Sequence, residues 1–437
     1  MGHPGAVSPK SLFRDSLRIK IRRFSTAAFF QRGYENLLKD KKTAVRLILF
    51  LLALIIAVGA FTMAVVRFLH RDSGYYDIEY TNEGNAVLYG SGIHLKYYAQ
   101  GGSGEIRETV NLAQKAFTDS LLYIFRLLDG ETVYEGVTNL ASLNRNPGVW
   151  LEIPEALEKA LRHALEATGK QAGYSLFSGA IRKEWETLRY LDEPQNKDPL
   201  NDPEEQVLLS QMASYVQSPE VFSLEIQEGK ARLSISGEYA AWARENEIDA
   251  PVLDLNLMKD AYLLDYVARA MTLRGLTQGY LYSDSGLSVL LNGSGETTYA
   301  LYGYDQGTPV EAGQATLPSP SAFCQFSAAP LTGETYGYYV VEQDGKTVYR
   351  HPWYDARTGD TANPWMTAAV GGQSERLTDL AFQLISFVCD QKEANLPKDI
   401  FSVCTRQDAP KTLYCPAPWQ ERMQMNSEAG FSLEILP

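Results

Sequence analysis

The sequence predicts an α+β domain that follows a single membrane-spanning helix. Twenty consecutive residues near the N-terminus carry no charge, several later segments repeat apolar residues with a helical period, and others alternate apolar and polar residues around turn residues. Helical blocks mixed with antiparallel blocks are typical of α+β folds. The chain has 437 residues, 45% of them hydrophobic, which is enough to bury at least one full core.

The uncharged run, LILFLLALIIAVGAFTMAVV, extends from Leu47 to Val66. At about 1.5 Å per residue it spans the hydrocarbon core of a bilayer. Residues 1–46 carry 11 Lys/Arg against 3 Asp/Glu, whereas residues 67–437 carry 29 against 50. Because the more basic flank of a membrane helix stays in the cytoplasm, we predict that the N-terminus is cytoplasmic. The bulk of the chain is then expected on the outer side of the cytoplasmic membrane. A cleaved signal peptide is the alternative, although the run is long and begins late for one.

Charge and cysteine usage exclude two classes of protein. The net charge of −21 for residues 67–437 argues against a nucleic-acid partner, because phosphate binding needs clustered Lys/Arg. The four cysteines are too few and too scattered for a disulfide scaffold and form no C-x-x-C zinc pair. Two alternatives remain for Cys404 and Cys415: a disulfide outside the cell, or two buried free thiols.

The elements after the membrane helix follow from local patterns. NAVLYG and IHLKYYA, within residues 72–104, alternate and predict short strands joined by turns. ETVNLAQKAFTDSLLYIFRLLD and IPEALEKALRHALEATG predict two helices, and the second has a proline near its start and a glycine at its end. The polar stretch LDEPQNKDPLNDPEEQ predicts a loop or helix cap.

Hairpins and two further helices complete the expected fold. VFSLEIQEGKARLSISG, GLSVLLNGSGETTYALYGY and YGYYVVEQDGKTVYRH each predict a hairpin, the last turning at Asp344–Gly345. Residues 253–275, LDLNLMKDAYLLDYVARAMTLRG, predict a buried strand that enters an amphipathic helix. SERLTDLAFQLISFVCDQ predicts a helix capped by Ser374, and the final GFSLEILP predicts an added edge strand.

Five segments, in order within residues 107–392, resemble the ApbE-like FAD:protein FMN transferases. The first is TNLASLN, a Ser/Asn-rich turn before an apolar helix, and the second, AGYSLFSGAIRKEW, is similar to the family's Gly-aromatic-Asp-x-Thr segment. The other three segments of this chain are LDLNLMKDAYLLD, YDARTG and SERLTDLAFQLI. They resemble the family segments LDLGGIAKGYAVD, DPRTG and ADALATAL, respectively. Each match is weak, but five in the correct order are much stronger than one. The resemblance implies the ApbE-like mixture of helices and antiparallel sheets in residues 67–395. A basic cytoplasmic segment (1–46) and the anchor (47–66) precede this domain, and an extension (396–437) follows it.

The resemblance implies a transferase that moves the FMN part of FAD to a Ser/Thr hydroxyl of a protein, with Mg²⁺ and release of AMP. The acceptors would be extracytoplasmic proteins of a redox system, reached from the membrane anchor. Two rival interpretations keep less of the family's chemistry. One is a catalytically weak or inactive relative that binds flavin nucleotide, and the other is a tethered extracytoplasmic binding module.

The strand-to-helix junction of LDLNLMKDAYLLD is the expected phosphate site, because a helix start presents unpaired N–H groups and a positive dipole end. The resemblance places the FAD pyrophosphate and the metal near Asp254 and Lys259. Aligned without a gap, Lys259 stands at a family alanine whose backbone carbonyl serves the metal. Three further family positions are changed, the lysine to Asp260 and the two glycines to Asn256 and Leu257.

Asp379 and Gln383 are the other expected metal ligands. They lie four residues apart, so they project from one helical face and can meet one hard cation such as Mg²⁺. The family has Asp and Thr there. Without the resemblance, the charged residues that follow Asp254 and the pair Asp379 and Gln383 are interpreted as solvated faces of ordinary helices. In that interpretation the helix after Asp254 turns Leu263, Val267 and Ala270 inward and leaves Lys259, Asp260 and Arg269 in solvent.

The resemblance makes His351 the base that activates the acceptor hydroxyl. His351 lies four residues before Asp355, where the family spacing is three. The extra residue is either a bulge that keeps the ring inward or a shift that moves it to the other sheet face. In the following turn, Arg357 is expected to pair with a carboxylate or a substrate phosphate, while Thr358 and Gly359 belong to the same binding turn.

The first two segments keep less of the family pattern. Asn144 is retained and Tyr174 offers a ring for aromatic stacking, so both are expected at the flavin. Ala141 stands at a family serine, and Ser175 and Phe177 stand at the family Asp and Thr. Phe177 is therefore expected to pack among apolar side chains rather than to bind a polar ligand group.

Overall fold

The computed structural model describes residues 41–69, 72–170, 173–255, 258–291, 295–305, 307–331, 337–343, 345–361, 363–373, 376–392 and 395–437. The chain divides into two units, Met1–Arg71 and Asp72–Pro437. Four residues that carry sequence predictions, Asn256, Leu257, Asp344 and Ser374, lie outside the described residues. The described part of the first unit is one helix, α1, Lys41–Leu69. Its segment Val45–Val65 is long and apolar enough to cross a membrane, and none of it is buried.

The second unit contains the remaining described elements. Its helices are α2, Asn82–Leu88; α3, Ser103–Leu128; α4, Leu140–Arg145; α5, Glu155–Lys170; α6, Gly179–Arg189; α7, Pro203–Gln217; α8, Gly237–Glu245; α9, Met258–Leu273; and α10, Leu377–Asp390. Its strands are β1, Gly74–Ile78; β2, Ile93–Ala99; β3, Leu151–Glu152; β4, Phe222–Gln227; β5, Lys230–Ile235; β6, Gly279–Ser283; β7, Leu287–Leu290; β8, Glu296–Asp305; β9, Thr308–Pro318; β10, Ala322–Ser327; β11, Tyr339–Gln343; β12, Lys346–Arg350; β13, Trp365–Gly372; β14, Phe401–Arg406; β15, Thr412–Pro416; β16, Met423–Met425; and β17, Ser432–Leu436.

A nine-stranded sheet organises the second unit, in the order β1-β2-β6-β7-β10-β13-β14-β15-β17. Its neighbouring strands are antiparallel except for the parallel pair β15–β17 at the edge, which confirms the predicted edge strand. Helices α3, α9 and α10 pack together and against this sheet. The smaller sheet β16-β9-β8 packs on β13 through a second core that contains Leu317, Phe323 and Phe401.

The predicted helices α3, α5 and α10 and the hairpins β4–β5 and β11–β12 are confirmed. NAVLYG is wrong as a strand, because it belongs to α2. There the Thr81 hydroxyl accepts the Gly84 N–H, and the buried Gly84 and Leu88 are spaced four residues apart. Its alternation is therefore a fragment of helical spacing.

The hairpin predicted for GLSVLLNGSGETTYALYGY is also wrong. Strand β7 pairs with β6 and β10 in the large sheet, whereas β8 pairs with β9 in the small one. Leu287 of β7 is buried in the core that contains the helices, and Leu301 of β8 is buried in the second core. The two strands separate because each buries its apolar face in a different core.

The cysteines are buried thiols, and a Cys404–Cys415 disulfide is excluded. Cys404 lies opposite Tyr414 in the β14–β15 register. Since side chains alternate along a strand, Cys415 projects to the other face of the sheet. Cys404 accordingly belongs to the helix-side core and Cys415 to the second core.

Candidate functional site

The first and third of the five segments meet through Asn144, whose amide bonds the backbone of Leu253 in both directions. Its Nδ2 donates to the Leu253 carbonyl at 2.9 Å, and its Oδ1 accepts the Leu253 N–H at 2.8 Å. Leu253 and Leu255 are buried, but residues 251–255 form no regular strand, so the predicted strand is an irregular segment. The Asn144 amide therefore holds the start of the junction in place.

The second segment contacts the third and the fourth. The Leu176 carbonyl accepts the Asp254 N–H at 2.9 Å, and the Gly173 carbonyl accepts the Ala356 N–H at 2.9 Å. At Gly179 a Cβ atom would lie 2.1 Å from the Pro251 carbonyl oxygen, so this close approach of two backbones requires glycine. Segments far apart in the chain are thus joined by backbone contacts.

The DARTG turn is held by a carboxylate–guanidinium pair. Asp355 Oδ1 accepts the Arg357 N–H at 2.8 Å, and Asp355 also pairs with the Arg357 guanidinium. Hydrogen bonding to Asp355 raises the pKa of Arg357. Arg357 also donates to the Cys389 carbonyl at the end of α10 at 3.0 Å, while Thr358 is exposed. Of the two partners predicted for Arg357, the structure therefore contains the carboxylate.

Gly359 closes the turn against α6 and α7. Its φ is +74°, and a Cβ atom there would lie 2.7 Å from the Leu209 carbonyl oxygen. Trp185 Nε1 donates to the Gly359 carbonyl at 2.7 Å. Glycine is required here by both the left-handed backbone and the close contact.

Helices α9 and α10 are connected by Asp265, the last residue of the third segment. Its carboxylate accepts the N–H groups of Leu377 and Thr378 at 2.8 and 3.0 Å. An anion at a helix N-terminus is favourable because the N–H groups there have no intrahelical partner. Burial raises the pKa of Asp265, and these two N–H bonds oppose that effect. The start of α10 is therefore capped from another helix.

Asp379 belongs to a chain of three polar side chains from three helices. His163 Nε2 of α5 lies 3.2 Å from Asp379 Oδ1, and His163 Nδ1 lies 2.8 Å from the Tyr262 hydroxyl of α9. Burial, followed by the charges of Asp265 and Asp379, raises the pKa of Tyr262, so its hydroxyl stays protonated. No sequence motif indicated a role for His163 or Tyr262. The sequence feature that could have pointed to His163 is its place on an amphipathic helix, one residue before Ala164, which is buried.

The charges at the start of α9 are only partly exposed. Lys259 Nζ lies 4.5 Å from the centroid of the Phe125 ring, a cation–π contact. Asp260 accepts the Ser285 hydroxyl at 2.7 Å, and burial raises the pKa of its carboxyl group. Further along the same helix, the side chain of Arg269 is exposed. Lys259 and Asp260 thus have partners within the fold and are not a fully solvated face.

A cluster of charged residues lies beside the buried carboxylate of Asp254. Arg182 Nε donates to Asp254 Oδ2 at 2.6 Å and Arg182 also pairs with Glu186 at 2.8 Å. Arg182 has a raised pKa despite its burial, because Asp254 and the neighbouring glutamates favour the charged form. Arg182 was not identified from the sequence, since helix α6 lies in a segment where the family pattern is weak.

His351 lies at the end of β12 with no exposed surface. Its Nδ1 accepts the Trp353 N–H at 3.2 Å, its Nε2 lies 2.9 Å from Asn363 Nδ2, and Phe326 contacts its ring edge-to-face at 4.9 Å. Burial, followed by the charge of Arg350, lowers the pKa of His351 to about 3. The imidazole is therefore neutral at pH 7, and both nitrogens have partners inside the protein.

Tyr174 and Phe177 are both buried. The Tyr174 ring packs edge-to-face on Phe382 of α10 at 5.0 Å, and its hydroxyl is buried without a hydrogen-bond partner among the described residues. Phe177 stacks on Phe222 at 5.7 Å, which confirms the predicted apolar packing. The Tyr174 hydroxyl is thus a polar atom inside the site that a ligand group can satisfy.

The cavities in the described part of the second unit include a smaller and a larger one. One, of about 160 Å³, is lined by Arg350, Thr358, Gly359 and Asp360 among others. The other, of about 560 Å³, lies along α3 and is lined by residues such as Tyr123, Arg126 and Ile153. Only the smaller cavity contains residues predicted from the sequence.

The residues present fit a cation only in part. Among the described residues, no three His, Cys, Asp or Glu side chains cluster as a metal site. Asp379, 50% exposed at its side chain, supplies a carboxylate, and Gln383 lies one turn further along α10. Lys259 is the second residue of α9, so its carbonyl belongs to the helical hydrogen-bond ladder. Since Mg²⁺ uses one or two carboxylates and completes its shell with water and substrate phosphates, this donor set fits an ion that binds together with a nucleotide.

No model of a known protein family and no curated protein sequence matches the chain. Among solved structures, the fold is similar to that of the ApbE protein from Thermotoga maritima. The TM-score is 0.52 at 11% identity, over 83% of this chain and 100% of that chain. Flavin transferase ApbE from Vibrio cholerae gives a TM-score of 0.48 at 12% identity, over 80% of this chain and 99% of that one. Flavinyl transferase ApbE from Pseudomonas stutzeri, in its apo form, gives 0.48 at 12% identity, over 77% and 92%.

The Thermotoga maritima structure is matched over its whole length, by 83% of this chain. This match confirms the predicted α+β fold class and the likeness that the five sequence segments indicated. The chain therefore has an ApbE-like fold.

Proposed function

We propose that this chain is a membrane-anchored FAD:protein FMN transferase. The observation that carries the proposal is the convergence of the five segments. Asn144 binds Leu253, Leu176 binds Asp254, and Gly173 binds Ala356. Arg357 and Asp265 then connect these segments to the two ends of α10. Segments that only resemble a family in sequence are thus linked by hydrogen bonds, in a fold similar to that of an ApbE protein, and this supports the proposal.

In the proposed reaction, the oxygen of a Ser or Thr hydroxyl on the acceptor attacks the FMN phosphorus of FAD. A phosphoester bond to the acceptor forms, the bond from that phosphorus to the bridging pyrophosphate oxygen breaks, and AMP leaves. A divalent cation, expected as Mg²⁺ at Asp379 and Gln383 with the Lys259 carbonyl, would neutralise pyrophosphate charge. The proposed FAD site comprises Asn144, Tyr174, Asp254, Lys259, Arg357, Thr358 and Gly359.

His351 is the proposed base, and its burial makes this role testable. A neutral imidazole can accept the hydroxyl proton, but a pKa of about 3 makes it a weak base in this conformation. Hydrogen bonds at active sites are often rearranged when the reactive complex forms, so the acceptor would have to open the contact between His351 and Asn363.

The transfer assay uses the full chain in detergent with FAD, Mg²⁺ and an acceptor protein that carries a Ser/Thr flavinylation motif. Wild-type protein is expected to attach FMN covalently to the acceptor and to release AMP, read by in-gel fluorescence and mass spectrometry. His351→Asn is expected to reduce the rate about a hundredfold, with FAD affinity little changed, because a base acts in transfer and not in ground-state binding. Equal rates for the two proteins would remove the base assignment.

The second candidate is a relative that binds FAD without transferring FMN. The buried, hydrogen-bonded environment of His351 favours it. Wild-type protein that binds FAD and labels no acceptor would support this candidate and contradict transfer. A chain that does not bind FAD would leave the tethered binding module as the remaining interpretation.

The proposed location is the cytoplasmic membrane, with one helix across it and residues 72–437 outside, next to extracytoplasmic acceptor proteins. The support is the apolar helix Val45–Val65 and the basic residues that precede it. Protease treatment of intact cells is expected to degrade the region beyond the helix. Full protection in intact cells, with cleavage only after lysis, would contradict this orientation.

A further inference from the structure

We propose that His163 and Asp379 together form a transition-metal site, in which His163 Nε2 gives this chain a preference for ions of the Mn²⁺ to Zn²⁺ series over Mg²⁺. The proposal rests on the proposed function only in sharing the cation site at Asp379. It adds a nitrogen ligand from α5, a helix that supplied no metal ligand in the sequence analysis.

The distance between the two donor atoms fits one shared ion. Metal–nitrogen and metal–oxygen bonds in proteins are about 2.0–2.2 Å long, so two ligands at about 90–110° hold their donor atoms about 3.0–3.4 Å apart. His163 Nε2 and Asp379 Oδ1 are 3.2 Å apart. An ion to one side of this contact can therefore bind both atoms once the direct hydrogen bond between them opens.

The second ring nitrogen of His163 has the partner that a metal-binding histidine needs. The Tyr262 hydroxyl lies 2.8 Å from Nδ1, where it can accept the ring N–H and leave the Nε2 lone pair for a metal. Phe382 contacts the His163 ring edge-to-face at 5.8 Å and restricts its rotation. The side chains of His163 and Asp379 are 22% and 50% exposed, so an ion can enter from solvent.

The chemistry of the donors determines the preferred ion. Mg²⁺ binds oxygen ligands, whereas imidazole nitrogen is a good ligand for first-row transition ions. Asp379 and His163, together with the amide of Gln383 one turn further along α10, would give a mixed nitrogen and oxygen set, which water or a substrate phosphate would complete. This set favours transition ions more than a site of oxygen ligands alone does.

The test adds MnCl₂, without FAD, to the full chain in detergent. Pulsed electron paramagnetic resonance of the bound Mn²⁺ is expected to show coupling to the ¹⁴N nucleus of an imidazole. His163→Gln should remove that coupling and weaken Mn²⁺ binding about tenfold or more, while Mg²⁺ affinity, measured by calorimetry, changes by less than about twofold. Wild-type protein without the coupling, or a His163→Gln protein that keeps it, overturns the proposal.

Two further variants make the result specific. His94→Gln is the matched control, because His94 Nε2 forms a similar contact with Asp284 Oδ1 at 2.9 Å on the surface. It should leave the coupling and the Mn²⁺ affinity unchanged, and loss of either would assign the ion to His94. Tyr262→Phe keeps the imidazole but removes its hydroxyl partner, so it should retain the coupling and bind Mn²⁺ about tenfold more weakly. It provides the test if His163→Gln does not fold.

These measurements are separate from the proposed function. A chain that shows the histidine coupling and transfers no FMN refutes the transferase and leaves the metal site intact. A chain that transfers FMN and shows no coupling refutes only the histidine ligand.

Discussion

Asp379→Ala is expected to abolish cation-dependent FAD binding and FMN transfer. Asp379 is the one carboxylate of the proposed cation site, and its half-exposed side chain lies beside His163 at 3.2 Å. Without it, only uncharged donors, among them the Gln383 amide and the Lys259 carbonyl, remain to hold an ion beside the negative pyrophosphate. We therefore expect transfer to fall below detection and FAD affinity to lose its dependence on the divalent cation.

The fold should tolerate this change. Asp379 lies in the first turn of α10, where a carboxylate contributes about 0.3–1 kcal/mol through the helix dipole. Alanine is the better helix former by up to about 0.7 kcal/mol, which offsets much of that loss. Asp119→Ala is the matched control, because Asp119 is 52% exposed on α3 and pairs with Lys115. FAD binding that keeps its cation dependence in Asp379→Ala would return Asp379 to a solvated helix face.

The folded protein is expected to lose stability on acidification because of His351. Its pKa is about 3 in the folded state against an ordinary value of 6.5, so the unfolded chain binds the proton more tightly. The stabilisation is fully present above the unfolded pKa and is lost as the pH falls from 6.5 towards 3. Between pH 7 and pH 5 this single group should lower the free energy of unfolding by about 2 kcal/mol.

Urea denaturation of the full chain in detergent at several pH values measures this effect. His351→Gln replaces the imidazole by a group that does not titrate, so its stability should fall less between pH 7 and pH 5, by the same 2 kcal/mol or so. Taking the difference between the two proteins removes the contribution of other groups, such as Glu205, whose pKa is raised to about 7 by burial. His94→Gln, which changes an exposed histidine, should follow the wild type. Parallel curves for wild type and His351→Gln would show that His351 is not buried in solution.

Several parts of this protein were predictable because they depend on neighbours in the chain. The apolar run of α1 needs only composition and length. Helices α3, α5 and α10 each repeat apolar residues with a helical period, and the hairpin β4–β5 alternates around Gly229. The order of the five segments also indicated the fold class, since a family likeness accumulates over many weak matches along one sequence.

Other features arise only when distant segments meet. The separation of β7 from β8 follows from two cores whose positions depend on the whole sheet. The side chains that surround Asp379 come from helices α5 and α9, which lie far from it in the chain. Asp265 of α9 similarly accepts the first N–H groups of α10, more than a hundred residues away in the chain.

The sequence by itself thus determined the long apolar helix α1, the α+β class, the ApbE-like order of segments and the periodic helices. These properties are additive over short stretches of chain, because hydrophobic spacing and turn residues act within a few residues of each other. The tertiary structure alone decided the burial of His351, the opposite faces of Cys404 and Cys415, and the Tyr262–His163–Asp379 chain. The physical reason is that burial, pKa and side-chain contacts depend on groups that the fold brings together over a hundred or more residues, and no local pattern encodes which groups those are.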